Sequence, residues 1–288
     1  MMQDGYYNMD CMDGMKLIDD KSIDMILCDL PYGTTKCTWD IPIPFDSLWE
    51  QYERIIKDNG AIVLFSAQPF TTDLVQSNRK LFRYEIIWKK TLPTNFLNAK
   101  KAPLRIHENI CVFYKHQPTY NPIMKEVHRN DIGRVRTNGG KAQQYNEFRK
   151  EDWAYIETGK RYPTDVIEFS NWNGALFGNA VNATKHPTQK PVEICENLIL
   201  TYTDEGDIVL DNCAGSCSTG VAAHRTGRRF IGFEKDKEIY EVGNERLQQE
   251  KSQITLFDIG MERKRITNVE GGNYCQNCGQ KLDWSEEE

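Results

Sequence analysis

The sequence predicts an α/β protein built on a mostly parallel sheet, and three stretches carry that prediction. Residues 22–28 form an apolar run of strand length, with aliphatic and β-branched members, that leads directly into Asp29. Residues 61–65 are continuously apolar, which is typical of a buried parallel strand. Residues 208–251 read as strand, helix, strand and helix in succession. Such a unit requires its strands to run parallel.

The spacing of apolar residues predicts the other elements of the first half. A short polar lead and a short helix around residues 12–18 precede the strand that ends at Asp29. Apolar residues three and four apart predict an amphipathic helix over residues 45–57, and Asn59-Gly60 is a C-cap signal that would close it. The remaining predicted elements are a helix at 71–78 and strands at 61–65, 84–89 and 109–114.

Regular periodicity is lost between residues 115 and 185. This stretch is rich in Asn, Gly, Lys, Arg and aromatic residues, and it is too long for a simple loop in a compact domain. It predicts an inserted region for substrate recognition, with basic groups for phosphates and aromatic rings for bases. Regular elements then resume: a helix at 192–200, a strand at 208–211, a helix at 217–225, a strand at 230–234 and a helix at 236–251.

Composition indicates a cytoplasmic protein. The chain of 288 residues contains no apolar run of about 18 residues, so a membrane-spanning helix is not expected. Its first residues lack the basic and then apolar pattern of a signal peptide. Nine cysteines are scattered along the chain, several of them inside apolar runs where a disulfide partner is implausible. That distribution is typical of a reducing compartment.

The charge of the chain is unevenly distributed. The net charge is −6, but residues 79–161 contain 18 Lys and Arg against 8 Asp and Glu, a local balance of +10. The rest of the chain therefore carries −16. An acidic body with a basic middle indicates a protein that meets a polyanion on one face. The alternative is an ordinary solvated surface.

The tetrapeptide Asp29-Leu30-Pro31-Tyr32 stands where a buried strand ends, which is the edge of an α/β sheet where ligands bind. Its groups suit the methylation of an exocyclic amino group on a nucleobase. The Asp29 carboxylate and a carbonyl held by Pro31 could accept the two N–H hydrogens and favour a nucleophilic nitrogen. The Tyr32 ring offers a face for an unstacked base. The alternative is a strand that ends in a Pro-Tyr turn with a capping aspartate.

A second motif runs from Asp211 to Gly220, as a strand end, a loop of small residues and a helix start. Such a loop brings backbone N–H groups and a helix N-terminus close to an anionic ligand group. Glu234 stands at the end of the next predicted strand, where an acidic side chain can bind both hydroxyls of a ribose. Together the two features indicate a site for a nucleotide-like ligand.

Three motifs in this order resemble the amino-group DNA methyltransferases, and their order is similar to the β class of that family. They are residues 29–33, residues 186–191 (His-Pro-Thr-Gln-Lys-Pro) and residues 211–220. The resemblance covers roughly residues 5–250. It implies a Rossmann-like fold that uses S-adenosylmethionine, with a mostly parallel sheet and an inserted target-recognition region. It also implies a duplex DNA substrate.

The resemblance assigns a role to each part of the chain. Residues 1–114 would be the catalytic half with the target-base site, and residues 115–185 the target-recognition region. Residues 186–255 would be the cofactor-binding half of the same domain, and residues 256–288 a tail. The target-base residues would be Asp29, Leu30, Pro31 and Tyr32, and the cofactor residues Asp10, Cys11, Thr188, Lys190, Asp211, Ala214, Gly215, Ser216 and Glu234.

Lysines and cysteines outside these motifs complete the predicted sites. The resemblance places Lys100 and Lys101 beside the active-site cleft, where they would contact DNA phosphates. Lys190 chemically suits the cofactor carboxylate, and Asp211 suits its ammonium. Cys275 and Cys278 have the spacing of a zinc knuckle, but a tetrahedral site needs four ligands and no second pair lies nearby. Zinc within one chain is therefore not expected, and a metal shared by two chains or a metal-free turn are the alternatives.

Three positions depart from the usual pattern of the family. Leu30 stands in place of a first proline, Asn212-Cys213 in place of Pro-Phe, and Cys217 in place of a glycine. All charged roles are nevertheless filled, so activity is expected, with a weaker affinity for the cofactor as one consequence.

The leading hypothesis is a DNA N6-adenine methyltransferase, because Asp at the first position of the tetrapeptide goes mostly with adenine in this family. The alternatives are an N4-cytosine enzyme, an RNA or protein-glutamine methyltransferase, and a catalytically weak DNA-binding regulator. A homodimer and a partner restriction endonuclease are also left open. The sequence does not predict the recognition site.

Overall fold

Eight strands form the central sheet in the part of the chain that the structure describes. The structure, a computed structural model, describes residues 2–34, 40–126, 159–171 and 189–267, together with residue 133 and residues 135–137 and 154–156. The strands of this sheet are β1 Gly5–Asn8, β2 Ile23–Asp29, β3 Ile56–Ser66, β4 Phe82–Thr94, β5 Arg105–Phe113, β10 Val166–Phe169, β11 Ile208–Asp211 and β12 Arg229–Glu234. Two short two-stranded sheets pair β6 Lys125–Glu126 with β9 Lys160–Arg161, and β7 Val135–Thr137 with β8 Ala154–Ile156.

The sheet is mostly parallel, as the sequence predicts. Its strand order is β1-β12-β11-β2-β3-β5-β4-β10. The run from β1 to β3 is parallel throughout, β5 is antiparallel to both of its neighbours, and β10 is parallel to β4. Because β2, β11 and β12 are parallel neighbours, their carboxyl ends meet at one edge of the sheet.

Helices cover both faces of the sheet, which is why the central strands read as continuous apolar runs. Within β2, Met25 and Leu27 face one buried cluster, whereas Ile26 and Cys28 face another. The first cluster includes residues of α4 and α5, and the second includes residues of α1 and α2. The helices are α1 Cys11–Lys16, α2 Phe45–Ile55, α3 Phe70–Ser77, α4 Val192–Tyr202, α5 Ser218–Arg225 and α6 Lys237–Thr267, with a 3₁₀ helix at Phe96–Asn98.

The predicted C-cap at Asn59-Gly60 is wrong. Helix α2 ends at Ile55, and β3 starts at the next residue. The pairing of β2 with β3 is irregular there, because Ile23 pairs with Ile56 while Met25 already pairs with Ala61. A Cβ atom at Gly60 would lie 2.8 Å from the Asp24 carbonyl oxygen. The absence of a side chain at Gly60 therefore lets β2 and β3 approach each other closely, and it does not end a helix.

Two strands of the main sheet lie where the sequence predicts none. Residues 5–8, expected as a polar lead, form the edge strand β1 against β12, with the Tyr6 side chain buried. Strand β10 falls inside the expected target-recognition region but extends the main sheet alongside β4. None of the helices in the described ranges is both long and apolar enough to cross a membrane.

Candidate active site

A cavity of about 970 Å³ opens at the edge of the sheet where β2, β11 and β12 end. Its size is typical of a ligand site. The tetrapeptide that follows β2 lines it, and so do the loop that follows β11 and the acidic end of β12. The two motifs that are 182 positions apart in the sequence, at Asp29 and Asp211, thus share one pocket. We call this cavity the shared pocket.

The tetrapeptide presents a carboxylate and an aromatic ring to the shared pocket. The Tyr32 hydroxyl donates a hydrogen bond of 2.7 Å to Asp29 Oδ1. The Tyr32 ring stacks on Phe70, with ring centroids 4.8 Å apart and 25° between the planes. Burial, followed by the charge of Asp29, raises the pKa of Tyr32 well above its usual range, so the hydroxyl stays a donor. Leu30 packs into the core, and Pro31 lines the pocket.

Lys190 connects Asp29 to a second buried carboxylate. Its ammonium donates to Asp29 Oδ2 and lies 3.5 Å from Glu108 Oε2. Lys90 donates to the other oxygen of Glu108. Burial opposes the charged form of Lys190, but Asp29 and Glu108 outweigh burial and raise its pKa. Burial likewise opposes the ionisation of Glu108, and Lys190 and Lys90 outweigh it and lower the pKa of that carboxyl.

The sequence reasoning missed Lys90 and Glu108. Both lie on strands, and their side chains are only 8% and 17% exposed. A signal was available, because Glu108 immediately precedes the predicted strand 109–114, where a charge requires a partner. The partner itself could not be predicted, since the pairing of β4 with β5 brings Lys90 and Glu108 together.

The loop after β11 is fixed by Asp211. Its Oδ2 accepts a hydrogen bond of 2.7 Å from the Thr219 hydroxyl, and its Oδ1 accepts one of 3.1 Å from the Cys213 N–H. The Asp211 side chain is buried yet lines the shared pocket. Burial raises the pKa of this carboxyl to about 6, against an ordinary value of 3.8. Asp211 therefore orders the loop and can present negative charge to a ligand near neutral pH.

The residue that departs from the family pattern at the start of α5 adopts a glycine-like conformation. Cys217, the N-cap of α5, has φ 63° and ψ 36°, in the left-handed region. A non-glycine residue pays roughly 1–2 kcal/mol for that conformation. The Cys217 N–H donates to the Ala214 carbonyl at 2.7 Å, and the side chain is fully buried. The buried thiol and the hydrogen bond to Ala214 hold Cys217 in this left-handed conformation. A glycine would adopt the same conformation with less strain.

Glu234, at the end of β12, lines the shared pocket and contacts the loop that follows β11. Its Oε2 accepts a hydrogen bond of 3.1 Å from the Gly215 N–H, and its Oε1 accepts one of 2.7 Å from the Asp236 N–H. Burial raises the pKa of Glu234 above its usual range. A carboxylate has about four lone-pair positions, so two acceptor positions are left for ligand hydroxyls. Ala214 and Ser216 line the pocket beside it.

Asp10 and Cys11 line the same wall from the start of α1. Asp10 is the N-cap of this helix, and its Oδ1 accepts a hydrogen bond of 2.9 Å from the Met12 N–H. Beside Cys11, the buried Asn212 accepts a hydrogen bond of 2.6 Å from the Tyr52 hydroxyl. This bond anchors to α2 the loop residue that stands where the family usually has proline.

The structure brings most of the predicted site residues together, but not all of them. Lys190 Nζ, which the sequence reasoning assigned to the cofactor carboxylate, contacts Asp29, while its backbone oxygen accepts a hydrogen bond of 2.8 Å from Ser218. Lys100 and Lys101 are exposed in the turn after the 3₁₀ helix and do not line the shared pocket. Thr188, Cys275 and Cys278 lie outside the described residues. Within those residues, no group of three or more His, Cys, Asp or Glu side chains could hold a metal ion.

Solved structures of the same fold include DNA-modifying enzymes. The complex titled M1.HpyAVI-SAM aligns with a TM-score of 0.55 at 22% identity, over 86% of this chain and 99% of that one. The cytosine-N4-specific PvuII DNA methyltransferase aligns with a TM-score of 0.59 at 16% identity, over 88% of this chain and 93% of that one. At these identities the likeness shows the fold, which is the one that the sequence predicts.

Relatives in sequence cover most of the chain. DNA adenine methyltransferase YhdJ of Escherichia coli (strain K12) is 28% identical over 90% of this chain and 87% of its own length. Type II methyltransferase M.HpaI of Haemophilus parainfluenzae is 27% identical over 86% of this chain and 76% of its own length. Residues 23–245 match the N6_N4_Mtase family, described as DNA methylase. Because that match spans well over half of the sequence and includes both walls of the shared pocket, the chain belongs to the N6/N4 family of DNA methylases.

Proposed function

We propose that this protein transfers a methyl group from S-adenosylmethionine to N6 of an adenine that is flipped out of duplex DNA. The observation that carries the proposal is the shared pocket, in which Asp29 and Tyr32 face the same cavity as the Asp211 loop and Glu234. A base held at one wall and a methyl donor held at the other would meet in that cavity. Asp at the first position of the tetrapeptide and the adenine-methylating relative both favour adenine.

The residues of the loop wall fit the proposed cofactor. Glu234 retains acceptor positions for the two hydroxyls of a ribose, and Gly215 lies within hydrogen-bonding distance of it. Asp211 can pair with the ammonium of the methionine part. When bound, the cofactor supplies an electrophilic methyl group. Thr188 and Lys190 are also expected beside the methionine part of the cofactor, and both assignments stay proposals.

The tetrapeptide would activate the amino group of the base. The Asp29 carboxylate accepts hydrogen bonds from Tyr32 and Lys190. It has further acceptor positions beyond these two. One of these positions would accept an N–H hydrogen of the base, and the Pro31 carbonyl the other. Lys190 keeps its proton because its pKa is raised, so the proton released on methylation goes to Asp29 or to water.

The Tyr32 ring would hold the base. One face of this ring is covered by Phe70, so a flipped base would stack on the opposite face. Stacking on an aromatic ring stabilises an unstacked base by roughly 1–3 kcal/mol. Flipping costs a few kcal/mol, so this contact offsets much of the cost. A homodimer and a partner restriction endonuclease stay predictions beside this mechanism.

One experiment tests base, context and activity together. The chain is expressed in a host without its own methylation, and the genome is sequenced by a long-read method that detects modified bases. Mass spectrometry of the digested DNA then distinguishes N6-methyladenine, the expected product, from N4-methylcytosine. N4-methylcytosine would contradict the adenine assignment. Duplex binding without any transfer would favour the regulator, and methylation of RNA or of a protein glutamine would favour the RNA or protein-glutamine methyltransferase.

A further inference from the structure

The hairpin of β4 and β5 extends beyond the shared pocket and ends in an apolar tip. Lys90 of β4 is buried at the pocket, and Thr94 and Arg105, the last residues that pair across the hairpin, still line it. Because a strand rises about 3.3 Å per residue, Thr94 lies up to about 13 Å beyond Lys90. The 3₁₀ helix at Phe96–Asn98 follows at once. The tip therefore begins two residues beyond Thr94, a residue of the pocket lining.

Two large apolar side chains are exposed on this tip. Leu97 is 99% exposed and Phe96 is 65% exposed. A single exposed leucine needs no explanation, but adjacent exposed aromatic and aliphatic residues beside a ligand site indicate a contact surface. Neither side chain belongs to the buried core of the described residues.

Polar groups of the tip hold its shape without help from Phe96 or Leu97. Asn95 adopts a left-handed conformation with φ 72°, and its side-chain oxygen accepts a hydrogen bond of 2.7 Å from Asn98. The Lys101 N–H donates to the Asn98 carbonyl at 2.8 Å. Since these bonds fix the turn, substitution of the exposed apolar residues should leave the fold intact.

We infer that Phe96 and Leu97 form a wedge that enters the base stack of duplex DNA and fills the space left by the flipped adenine. The inference rests on the proposed function. Proteins that distort DNA insert apolar side chains such as Phe and Leu between base steps, where those side chains leave water. Lys100 and Lys101 follow the tip and are exposed, so they can contact the phosphates on either side of the insertion. The wedge stabilises the open duplex while the base occupies the pocket.

A second copy of the chain is a poorer partner for this tip. A symmetric contact through the tips would bring the lysine pairs of both copies together, and like charges repel. Two side chains also bury far less than the roughly 800 Å² per partner of a stable interface. Duplex DNA satisfies both the apolar tip and its flanking positive charges.

The test compares wedge variants on two substrates that differ only in the cost of flipping. One is a duplex with the recognition sequence found by sequencing, and the other carries an abasic site opposite the target adenine. The variants are Leu97→Ala and the double substitution Phe96→Ala with Leu97→Ala. Leu17→Ala is the matched control, because Leu17 is 58% exposed and does not line the shared pocket.

On the ordinary duplex, kcat/KM of the double variant should fall by about tenfold or more, and on the abasic substrate by less than about threefold. The Leu17→Ala control should match the parent on both. Equal losses on the two substrates, or no loss on either, would overturn the wedge while the parent activity upholds the proposed function. A dimeric parent whose wedge variant is monomeric would assign the tip to a second copy. A parent without methyl transfer would refute the proposed function itself, and the wedge with it.

Discussion

Tyr32 and Asp29 are joined by a hydrogen bond of 2.7 Å, in which the phenol donates to the carboxylate. The other Asp29 oxygen accepts from Lys190. The carboxylate is thus held from two sides before any substrate is present. Preorganised groups of this kind lower the barrier of a reaction because they need not reorient as it proceeds. Asp29 is therefore the residue whose loss should affect chemistry most.

Asp29→Ala should abolish methyl transfer and leave cofactor binding largely intact. The substitution removes the acceptor proposed for one amino hydrogen of the base, whereas the loop wall around Glu234 is untouched. Transfer to a cognate duplex and calorimetric binding of S-adenosylmethionine are the two measurements. Tyr32→Phe is the matched control, since it removes one hydrogen bond but keeps the stacking ring, and it should retain measurable activity. Near-normal turnover of Asp29→Ala would remove Asp29 from the mechanism.

Lys190→Met should destabilise the protein by about 3 kcal/mol, because removal of one partner leaves buried charge without compensation. Lys190 is 11% exposed and lies between Asp29 and Glu108. The measurement is the free energy of unfolding in urea. Adding Asp29→Asn should recover part of the loss, since Asp29 then becomes neutral while Glu108 keeps its ion pair with Lys90. A single variant as stable as the parent would show that the ion pairs contribute nothing net.

Much of the site could be predicted from the sequence, because strand ends of a parallel sheet converge at one edge. Asp29, Asp211 and Glu234 each follow an apolar run, so their meeting in one pocket needed only the parallel topology. The network of Lys90 and Glu108 could not be predicted, because it depends on the register of an antiparallel pair.

The edge strand β1 was missed for a related reason. Residues 5–8 carry no apolar alternation of their own, and they become a strand through pairing with Arg229–Glu234. The opposite error occurred at Gly60, where a strong local turn signal was overridden by the contact of two strands. In both cases a partner distant in sequence decided the local structure.

Glu234→Ala and Asp211→Ala should each weaken S-adenosylmethionine binding by roughly 1–3 kcal/mol, if each removes a hydrogen bond to a charged group. Asp211→Ala should also destabilise the loop, because Thr219 and the Cys213 N–H lose their acceptor. Calorimetry reports the affinity, and thermal unfolding separates a folding defect from a binding defect. Unchanged affinity in both variants would contradict the cofactor assignment of this wall.

Cofactor affinity should fall on acidification through about pH 6, by up to about tenfold per pH unit, because Asp211 then loses the charge that would pair with an ammonium. The sign for stability is opposite. The folded pKa of Asp211 is above its ordinary 3.8, so the folded state binds the proton more tightly, and the contribution of Asp211 to the free energy of unfolding falls as pH rises between about 3.8 and 6. Asp211→Asn should flatten both dependences. Calorimetry and urea unfolding at pH 5 and 8 measure them, and an unchanged pH profile in that variant would assign the titration elsewhere.

Lys100 and Lys101 should determine part of the salt dependence of DNA binding. Each phosphate that a lysine neutralises contributes about −0.9 to the slope of log affinity against log salt concentration. Replacing both with alanine should therefore make the slope shallower by about two, and should weaken cognate and random duplexes alike because phosphates carry no sequence information. The matched control replaces Lys16 and Lys237, which are exposed lysines outside the basic residues 79–161. A slope that is unchanged by the Lys100 and Lys101 substitutions, or changed equally by the control, would show that the two lysines are ordinary solvated groups.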